Sequence, residues 1–275
     1  ITEKVDFFHI DSPESIAQKI ICVNLSDLSA MGSLPKAYTL NLSLTSKINS
    51  NWLERFTNRL ALLQKKYNIY LLGGDISKSQ ELTFTATFFG KSKLQNILSQ
   101  NKCSVGDDIW VTGNLGASYL GYKILTNSNL KIGDTLKNNF IKSYYYPKPC
   151  MFGISSAKYI NAATDISDGF YGDLIKILNN NFGASITKKN IPVSRNIKNI
   201  IKDNNLIISM NKLLTWGDDY ELILIIKKKY RNKIKSLAKI NKVKLSLVGA
   251  IIKEKGIFDD SMNLIKKLSS FDHFC

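Results

Sequence analysis

The sequence predicts a two-domain protein of the α/β or α+β class, in which helices and strands are mixed. Two observations support this prediction. Strict polar–apolar alternation at 37–44 and 82–90 is typical of half-buried strands, whereas the apolar residues of 50–67 recur with the spacing of an amphipathic helix. The chain has 275 residues, of which 44% are hydrophobic, so it is long enough for two domains and too apolar to be disordered.

The first helix is predicted within residues 11–32. It begins with Asp11, a candidate N-cap, and with Pro13, a residue favoured in the first helical turn. Asp27 falls inside this helix among apolar residues. A carboxylate buried there is costly unless it is paired or bound to a metal ion.

Further elements are predicted in both halves of the chain. In the N-terminal half they are the 50–67 helix with Ser50 as its cap, and a strand at 69–75 that runs into a Gly-Gly turn and Asp75. In the C-terminal half they are strands at 108–113, within 213–226 and at 245–252, and helices after 113, after Pro149, from the acidic stretch to about Asn180, and at 230–240. The segment 91–104 is polar and aperiodic, so we place the boundary near residue 103 and predict domains 1–103 and 104–275.

The formal net charge of +16 comes almost entirely from lysine. Nucleic-acid recognition favours arginine for bidentate contacts, and no basic stripe interleaved with aromatic residues is present. We therefore interpret the lysines mainly as solvated surface and expect no nucleic-acid partner. No apolar run approaches the roughly 18 residues of a membrane span, so we expect no membrane partner either.

The four cysteines are scattered and form no Cys-x-x-Cys pair: Cys22, Cys103, Cys150 and Cys275. Free thiols in a reducing, cytoplasmic location are the expectation. Residue 1 is Ile rather than Met, so we expect the sequence to begin inside a longer polypeptide.

Acidic residues recur in one context, at the end of an element and beside Gly or Ser. They are Asp27, Asp75, Asp165 with Asp168, and Asp218 with Asp219. Each motif alone also fits a solvated helix start or strand end, where acids are common. Taken together they favour a site for Mg²⁺ and phosphates, since Mg²⁺ prefers carboxylates and small neighbours let phosphates approach the backbone.

Other chemistries lack their motifs. His9 and His273 are the only histidines and have no metal-ligand spacing. Neither a Gly-x-Ser-x-Gly elbow nor a Walker A loop is present, and "GNLGASYLG" at 113–121 departs from the dinucleotide-binding pattern.

Six blocks together resemble one family over essentially the whole chain. "VNLSDLSAMGS", "LLGGDIS", "GDDIWVTGNLGAS", "DISDGFYGDL", "GDDYEL" and "FDHF" are similar, in this order and spacing, to the motifs of thiamine-monophosphate kinases. That family belongs to a superfamily with aminoimidazole ribonucleotide synthetase. The resemblance implies a two-domain architecture with mixed sheets flanked by helices, and a homodimer formed by pairing of the N-terminal-domain sheets.

The implied activity is Mg²⁺-dependent transfer of the ATP γ-phosphoryl group directly onto thiamine monophosphate, which yields thiamine diphosphate. Several Mg²⁺ ions, ATP as co-substrate and thiamine monophosphate are therefore the implied ligands, and no nucleophilic residue is expected. By match to the family's motifs, the implied metal ligands are Thr2, Glu3, Asp27, Asp75, Asp165 and Asp168. The implied ATP contacts are Gly74, Asp75 and Ser167, and the implied substrate contacts are His9, Asp218 and Phe271.

The chain departs from the family pattern at several positions. The upstream Gly-Asp-Asp segment of the family is absent before Ile1, and Glu3 replaces an Asp. Gln100, Trp216 and Phe271 stand where Arg, Gly and Tyr are usual. We therefore expect the full-length parent to be active and this exact chain to be weak or inactive.

Two alternatives remain at this point. One is a related ATP-dependent enzyme of the same superfamily acting on another acceptor; Cys275 briefly suggests the hydrogenase-maturation dehydratase, which ends in a reactive cysteine. The other is a non-catalytic nucleic-acid binder, favoured only by the net charge.

Overall fold

The computed structural model describes residues 1–100, 102–126, 129–204 and 207–266. The N-terminal part contains two helices and three strands. They are α1 (Pro13–Ala30), β1 (Leu34–Leu44), α2 (Ser50–Tyr67), β2 (Tyr70–Lys78) and β3 (Thr83–Lys91). The predicted caps are each displaced by one residue: Ser12 caps α1 in place of Asp11, and Asn49 caps α2 in place of Ser50.

The three strands form a sheet in the order β2-β1-β3, with β1 parallel to β2 and antiparallel to β3. Helices α1 and α2 cover one face, and Phe56, Leu60 and Phe84 belong to the shared core. The predicted Gly-Gly turn is wrong, because β2 continues through Gly73 and Gly74. A side chain at Gly74 would place its Cβ 1.8 Å from a carbonyl oxygen of β1, so the close pairing of the two strands requires glycine there.

The C-terminal part contains six strands and seven helices among the described residues. The strands are β4 (Asp108–Thr112), β5 (Ala162–Asp165), β6 (Gly183–Ile186), β7 (Leu222–Ile226), β8 (Leu245–Ile252) and β9 (Gly256–Asp259). The helices are α3 (Ala117–Leu125), α4 (Asp134–Tyr145), α5 (Phe152–Ser156), α6 (Phe170–Leu178), α7 (Arg195–Asp203), α8 (Met210–Leu214) and α9 (Arg231–Ile240). The sheet order is β5-β7-β4-β8-β6-β9, antiparallel except for the last pair, so the predicted mixed sheets are confirmed.

Both faces of the six-stranded sheet are covered, because every residue of β4 and β7 is buried. Successive side chains point to opposite faces: Ile109 and Val111 belong to one core, and Trp110 between them belongs to the other. This is why these strands are nearly continuous in apolar residues rather than alternating.

Helix α1 connects the two parts. It packs against β1 and β3 of the first sheet and also against β5 of the second. Lys19 and Asp27 of this helix line the cleft in which the candidate site lies. No helix within the described ranges is both long and apolar enough to cross a membrane. Cys22, Cys103 and Cys150 are free thiols, whereas Cys275 lies outside the described residues.

Candidate active site

A cleft of about 590 Å³ lies between α1, the N-terminal segment and two loops of the C-terminal part. One group of lining side chains is acidic and another is aromatic. The acidic lining residues include Asp27, Asp165, Asp168 and Asp218, and we refer to four of the aromatic ones, Phe8, Tyr122, Tyr144 and Trp216, as the aromatic group. The cleft therefore has the two surfaces needed for a ligand that combines phosphates with aromatic rings.

The first loop connects β5 to α6 and carries Asp165, Ser167 and Asp168. Asp173 fixes this loop, because its buried carboxylate accepts hydrogen bonds from the backbone amides of Ser167 at 3.0 Å and Asp168 at 2.9 Å. Lys176 donates to Asp173 at 2.7 Å and to Asp168 at 2.5 Å. The loop thus has a fixed conformation in which carboxylates and backbone face the cleft.

The second loop lies between α8 and β7 and is bonded to the first. The amide of Asp218 donates to the carbonyl of Ser167 at 2.9 Å, and Asp218 accepts a hydrogen bond from the Tyr220 hydroxyl at 2.8 Å. The contact requires Gly217, whose φ is +111° and whose Cβ, if present, would lie 2.0 Å from the Ser167 carbonyl oxygen.

Two further acids of this loop have structural partners. Asp219 accepts the amide of Gly116 at 2.8 Å, and Glu221 accepts the hydroxyl of Thr112 at 2.6 Å. Burial raises the pKa of both carboxyls. Asp219 thereby joins this loop to the start of α3, and Glu221 joins the start of β7 to the end of β4.

Two carboxyls on the acidic side of the cleft have raised pKa values. Desolvation and then the neighbouring Asp27 raise the pKa of Asp165 to about 7. Desolvation and then Asp173 raise the pKa of Asp27 to about 6, although its side chain is exposed to the cleft rather than buried as the sequence suggested. Like charges close together disfavour ionisation unless a cation joins them.

The predicted site residues fall into three sets: those that line the cleft, those that lie beside it or away from it, and Phe271, which is outside the described residues. Asp27, Asp165, Ser167, Asp168 and Asp218 all line the cleft. No three His, Cys, Asp or Glu side chains of the described chain, however, converge into a ready-made metal site. The carboxylates share the cleft without meeting at one point.

The second set lies beside the cleft or away from it. Glu3 is buried, and its carboxylate is hydrogen-bonded to the ring of His9. Thr2 forms an isolated β-bridge with Thr83 of β3. Burial alone would raise the pKa of Glu3, but the hydrogen bonds from His9 and the Leu82 amide lower it overall.

Gly74 and Asp75 lie on the exposed strand β2 and are absent from the lining of the cleft. Phe271, the third predicted substrate contact, lies outside the described residues. Gln100, where the family usually has Arg, donates to the Thr164 hydroxyl at 3.2 Å, next to Asp165. The structure therefore brings together the acids of α1 and of the two loops, and leaves the remaining assignments as predictions.

Sequence reasoning missed the aromatic group and a lysine in the cleft wall. Trp216 stacks on Tyr122 with ring centroids 4.3 Å apart, and Phe8 also stacks on Tyr122, with ring centroids 6.0 Å apart. Lys19 lies over the Tyr144 ring at 4.3 Å. These residues come from distant segments, so no local motif marks them; the one usable signal is that Lys19, Val23 and Asp27 recur every four residues along α1.

Comparison with known proteins gives the same architecture. The family models for the N-terminal and C-terminal domains of AIR synthase related proteins match residues 1–92 and 104–260. The thiamine-monophosphate kinase of Buchnera aphidicola subsp. Acyrthosiphon pisum (strain APS) is 35% identical over 279 residues, covering 100% of this chain and 85% of that protein.

Two solved structures agree. The thiamine-monophosphate kinase of Stenotrophomonas maltophilia K279a superposes with a TM-score of 0.83 at 27% identity, covering 94% of this chain and 83% of the other. AaThiL, solved in complex with AMPPCP and TMP, superposes with a TM-score of 0.88 at 24% identity over 100% of this chain and 85% of the other, and shows the fold.

These findings define the class first: the matches to both domain models identify a two-domain AIR synthase related protein. Within this class, the chain belongs to the thiamine-monophosphate kinase family.

Proposed function

We propose that the protein transfers the γ-phosphoryl group of ATP to thiamine monophosphate, giving thiamine diphosphate and ADP. The observation that supports this most strongly is the cleft itself, in which Asp27 and Asp165 face the same space as the stacked rings of Tyr122 and Trp216. The cationic heteroaromatic ring of thiamine monophosphate suits the stacked rings, and the acids suit phosphates once Mg²⁺ neutralises their charge. The relationship to proteins named thiamine-monophosphate kinase gives the substrate.

In the proposed reaction, an oxygen of the acceptor phosphate attacks the γ-phosphorus of ATP. The bond from that phosphorus to the β,γ-bridging oxygen breaks, and ADP leaves with the electron pair. Phosphoryl transfer of this kind depends on positioning and charge neutralisation more than on covalent chemistry by the protein.

The donor set fits Mg²⁺. Asp27, Asp165 and Asp168 present carboxylate oxygens to one cleft, and desolvation followed by neighbouring carboxylates raises the pKa values of the first two. We propose that these three hold the metal, which when bound would neutralise phosphate charge. Thr2, Glu3 and Asp75 are further proposed ligands; Glu3 would have to exchange its hydrogen bond with His9.

The remaining proposed contacts follow the family pattern. Ser167, Gly74 and Asp75 are assigned to ATP, and Asp218 and His9 to thiamine monophosphate, together with Phe271. Of these, Ser167 and Asp218 lie in the cleft and are joined by a backbone hydrogen bond, so the two substrates would be held by one rigid pair of loops.

We also propose that the protein acts as a cytoplasmic homodimer. Strand β2 is an edge strand whose residues are all exposed, among them Leu71, Leu72 and Ile76. An exposed apolar edge is a template for pairing with another chain. The positions of Gly74 and Asp75 on this strand would bring a dimer interface close to two residues assigned to ATP.

The direct test is to incubate the full-length protein with ATP, Mg²⁺ and thiamine monophosphate, and to separate and quantify thiamine diphosphate and ADP. The proposal predicts equal amounts of both products. ADP release with other phosphate acceptors but never with thiamine monophosphate would move the assignment to another enzyme of the same superfamily.

A further inference from the structure

Lys19 carries an ammonium group that is almost completely buried in the wall of the cleft. It lines the cleft from the middle of α1, yet only 6% of the residue is exposed. Removing an ammonium group from water is costly unless strong partners replace the water. Among the described residues its hydrogen bond goes to a single neutral acceptor, the backbone carbonyl of Asp6, at 2.6 Å.

The other neighbours of Lys19 are favourable but leave its donors unsaturated. Asp218 lies 3.9 Å away, which is an ion-pair distance and too long for a hydrogen bond, and one of its oxygens already accepts from Tyr220. The Tyr144 ring stabilises the positive charge through its face and accepts no conventional hydrogen bond. A lysine has three N–H donors, so an anion entering the cleft would find donors available.

The position of Lys19 along α1 separates it from the acidic residues. Lys19, Val23 and Asp27 all line the cleft at intervals of four residues. Eight residues of helix span about 12 Å, so Lys19 and Asp27 lie at two separate positions along the same wall of the cleft. Asp27 lies on the side of the proposed metal, whereas Lys19 adjoins Tyr144, which also contacts Phe8 of the aromatic group.

We propose that Lys19 binds the phosphate of the acceptor substrate, while the adjacent aromatic group takes its heteroaromatic ring. This inference rests on the proposed function and adds to it one residue and the orientation of the two substrates. The donor phosphates would lie at Asp27 and Asp165, and the acceptor phosphate at Lys19. A fixed cation there offsets the repulsion between the two phosphates as they approach.

The test compares how the full-length protein binds thiamine and thiamine monophosphate, which differ only in the phosphate. Dissociation constants are measured by calorimetry in the presence of EDTA, so that no metal contributes. The wild-type protein should bind the phosphorylated form about 10-fold or more tightly than thiamine, as expected for a hydrogen bond between charged groups. Lys19→Gln keeps a donor for the Asp6 carbonyl but lacks the charge, and should reduce this preference to about one.

A matched control is Lys4→Gln. Lys4 also lines the cleft, but it is exposed and paired with Glu81 at 3.1 Å. This variant should keep the wild-type preference, because an exposed ion pair contributes little. Equal loss in both variants would mean that overall charge, not Lys19, attracts the phosphate.

An unchanged preference in Lys19→Gln would overturn the inference while leaving the proposed function intact. Wild-type protein that binds neither compound, both in EDTA and with Mg²⁺ restored, would instead refute the proposed function. If Lys19→Gln does not fold, Lys19→Arg decides: it retains the charge and should retain most of the preference, and a folded Lys19→Arg that binds both compounds equally would contradict the assignment.

Discussion

Oδ2 of Asp173 accepts a hydrogen bond from the backbone amide of Asp168 at 2.9 Å. The same oxygen accepts the amide of Ser167, and the carboxylate is 1% exposed. A buried carboxylate that binds two consecutive amides fixes the backbone between them. Asp173 therefore positions the loop that presents Asp165 and Asp168 to the cleft, although it does not line the cleft itself.

Replacing Asp173 with Asn should destabilise the protein and loosen this loop. The amide loses the charge that strengthens both hydrogen bonds and leaves Lys176 with one fewer anionic partner. We expect a loss of about 1–3 kcal/mol in the free energy of unfolding, measured by urea denaturation. Asp203→Asn, at an exposed acid near the end of α7, is the control and should be neutral. Unfolding curves that coincide for the two variants would contradict the positioning role.

Replacing Asp165 with Asn should stabilise the protein when no metal is present. The change removes a buried carboxylate whose pKa is raised to about 7, first by desolvation and then by the neighbouring Asp27. The melting temperature in EDTA should rise, and the further increase caused by Mg²⁺ in the wild-type protein should shrink or vanish. A variant that melts lower in EDTA and still responds fully to Mg²⁺ would show that Asp165 is a structural acid.

The stabilisation by Mg²⁺ should depend on pH. The folded-state pKa values of Asp27 and Asp165 lie above the unfolded value of 3.8, so the folded protein holds protons that the unfolded chain has released. This contribution to stability is present below about pH 4 and is lost as the pH rises through about 6 to 7. Because Mg²⁺ replaces those protons, its stabilising effect should be larger at about pH 8 than at about pH 5.

Other acids also make the stability depend on pH, so this experiment needs a reference protein that lacks only the two carboxyls in question. Glu14 has a pKa lowered first by its hydrogen bond from Arg55, and contributes in the opposite direction. The double variant Asp27→Asn/Asp165→Asn removes the two groups in question and retains the others. An Mg²⁺ effect with the same pH dependence in both proteins would contradict the role of these two carboxylates.

Replacing Leu72 with Lys should weaken the proposed dimer. Leu72 lies on the edge strand β2 and is 65% exposed, so a lysine there is tolerated by the folded monomer but would place a charge in an interface formed through β2. Leu62→Lys is the matched control, because Leu62 is 60% exposed on α2. Light scattering after size-exclusion chromatography should show more monomer for the β2 variant only. Equal masses for both variants and the wild-type protein would refute an interface through β2.

The sequence predicted the periodic elements well and the short ones poorly. β1 and β3 alternate because one face is buried, and α2 shows its apolar stripe. β5 and β6 have four residues each, too few for a period to be visible, and β5 is buried throughout. The caps were misplaced because Asp11 and Ser12, like Asn49 and Ser50, are neighbouring cap formers, and only the backbone decides between them.

The acidic part of the site was predictable and the rest was not. Asp165 and Asp168 stand out because acids beside Ser and Gly at the end of a strand are a local pattern. Lys19 acquires its surroundings from Asp6, Tyr144 and Asp218, which belong to three separate segments. A cluster of this kind exists only after folding, so no window of the sequence reveals it.

The central claim is that the carboxylates of the cleft support phosphoryl transfer to thiamine monophosphate. The most direct measurement is the rate of thiamine diphosphate formation, followed after oxidation to a fluorescent thiochrome derivative, for the full-length wild-type protein, Asp165→Asn and Asp203→Asn across an Mg²⁺ titration. We predict Mg²⁺-dependent product from the wild-type protein and Asp203→Asn, and a rate lower by at least about 100-fold for folded Asp165→Asn. Wild-type rates from Asp165→Asn at every Mg²⁺ concentration would contradict the claim.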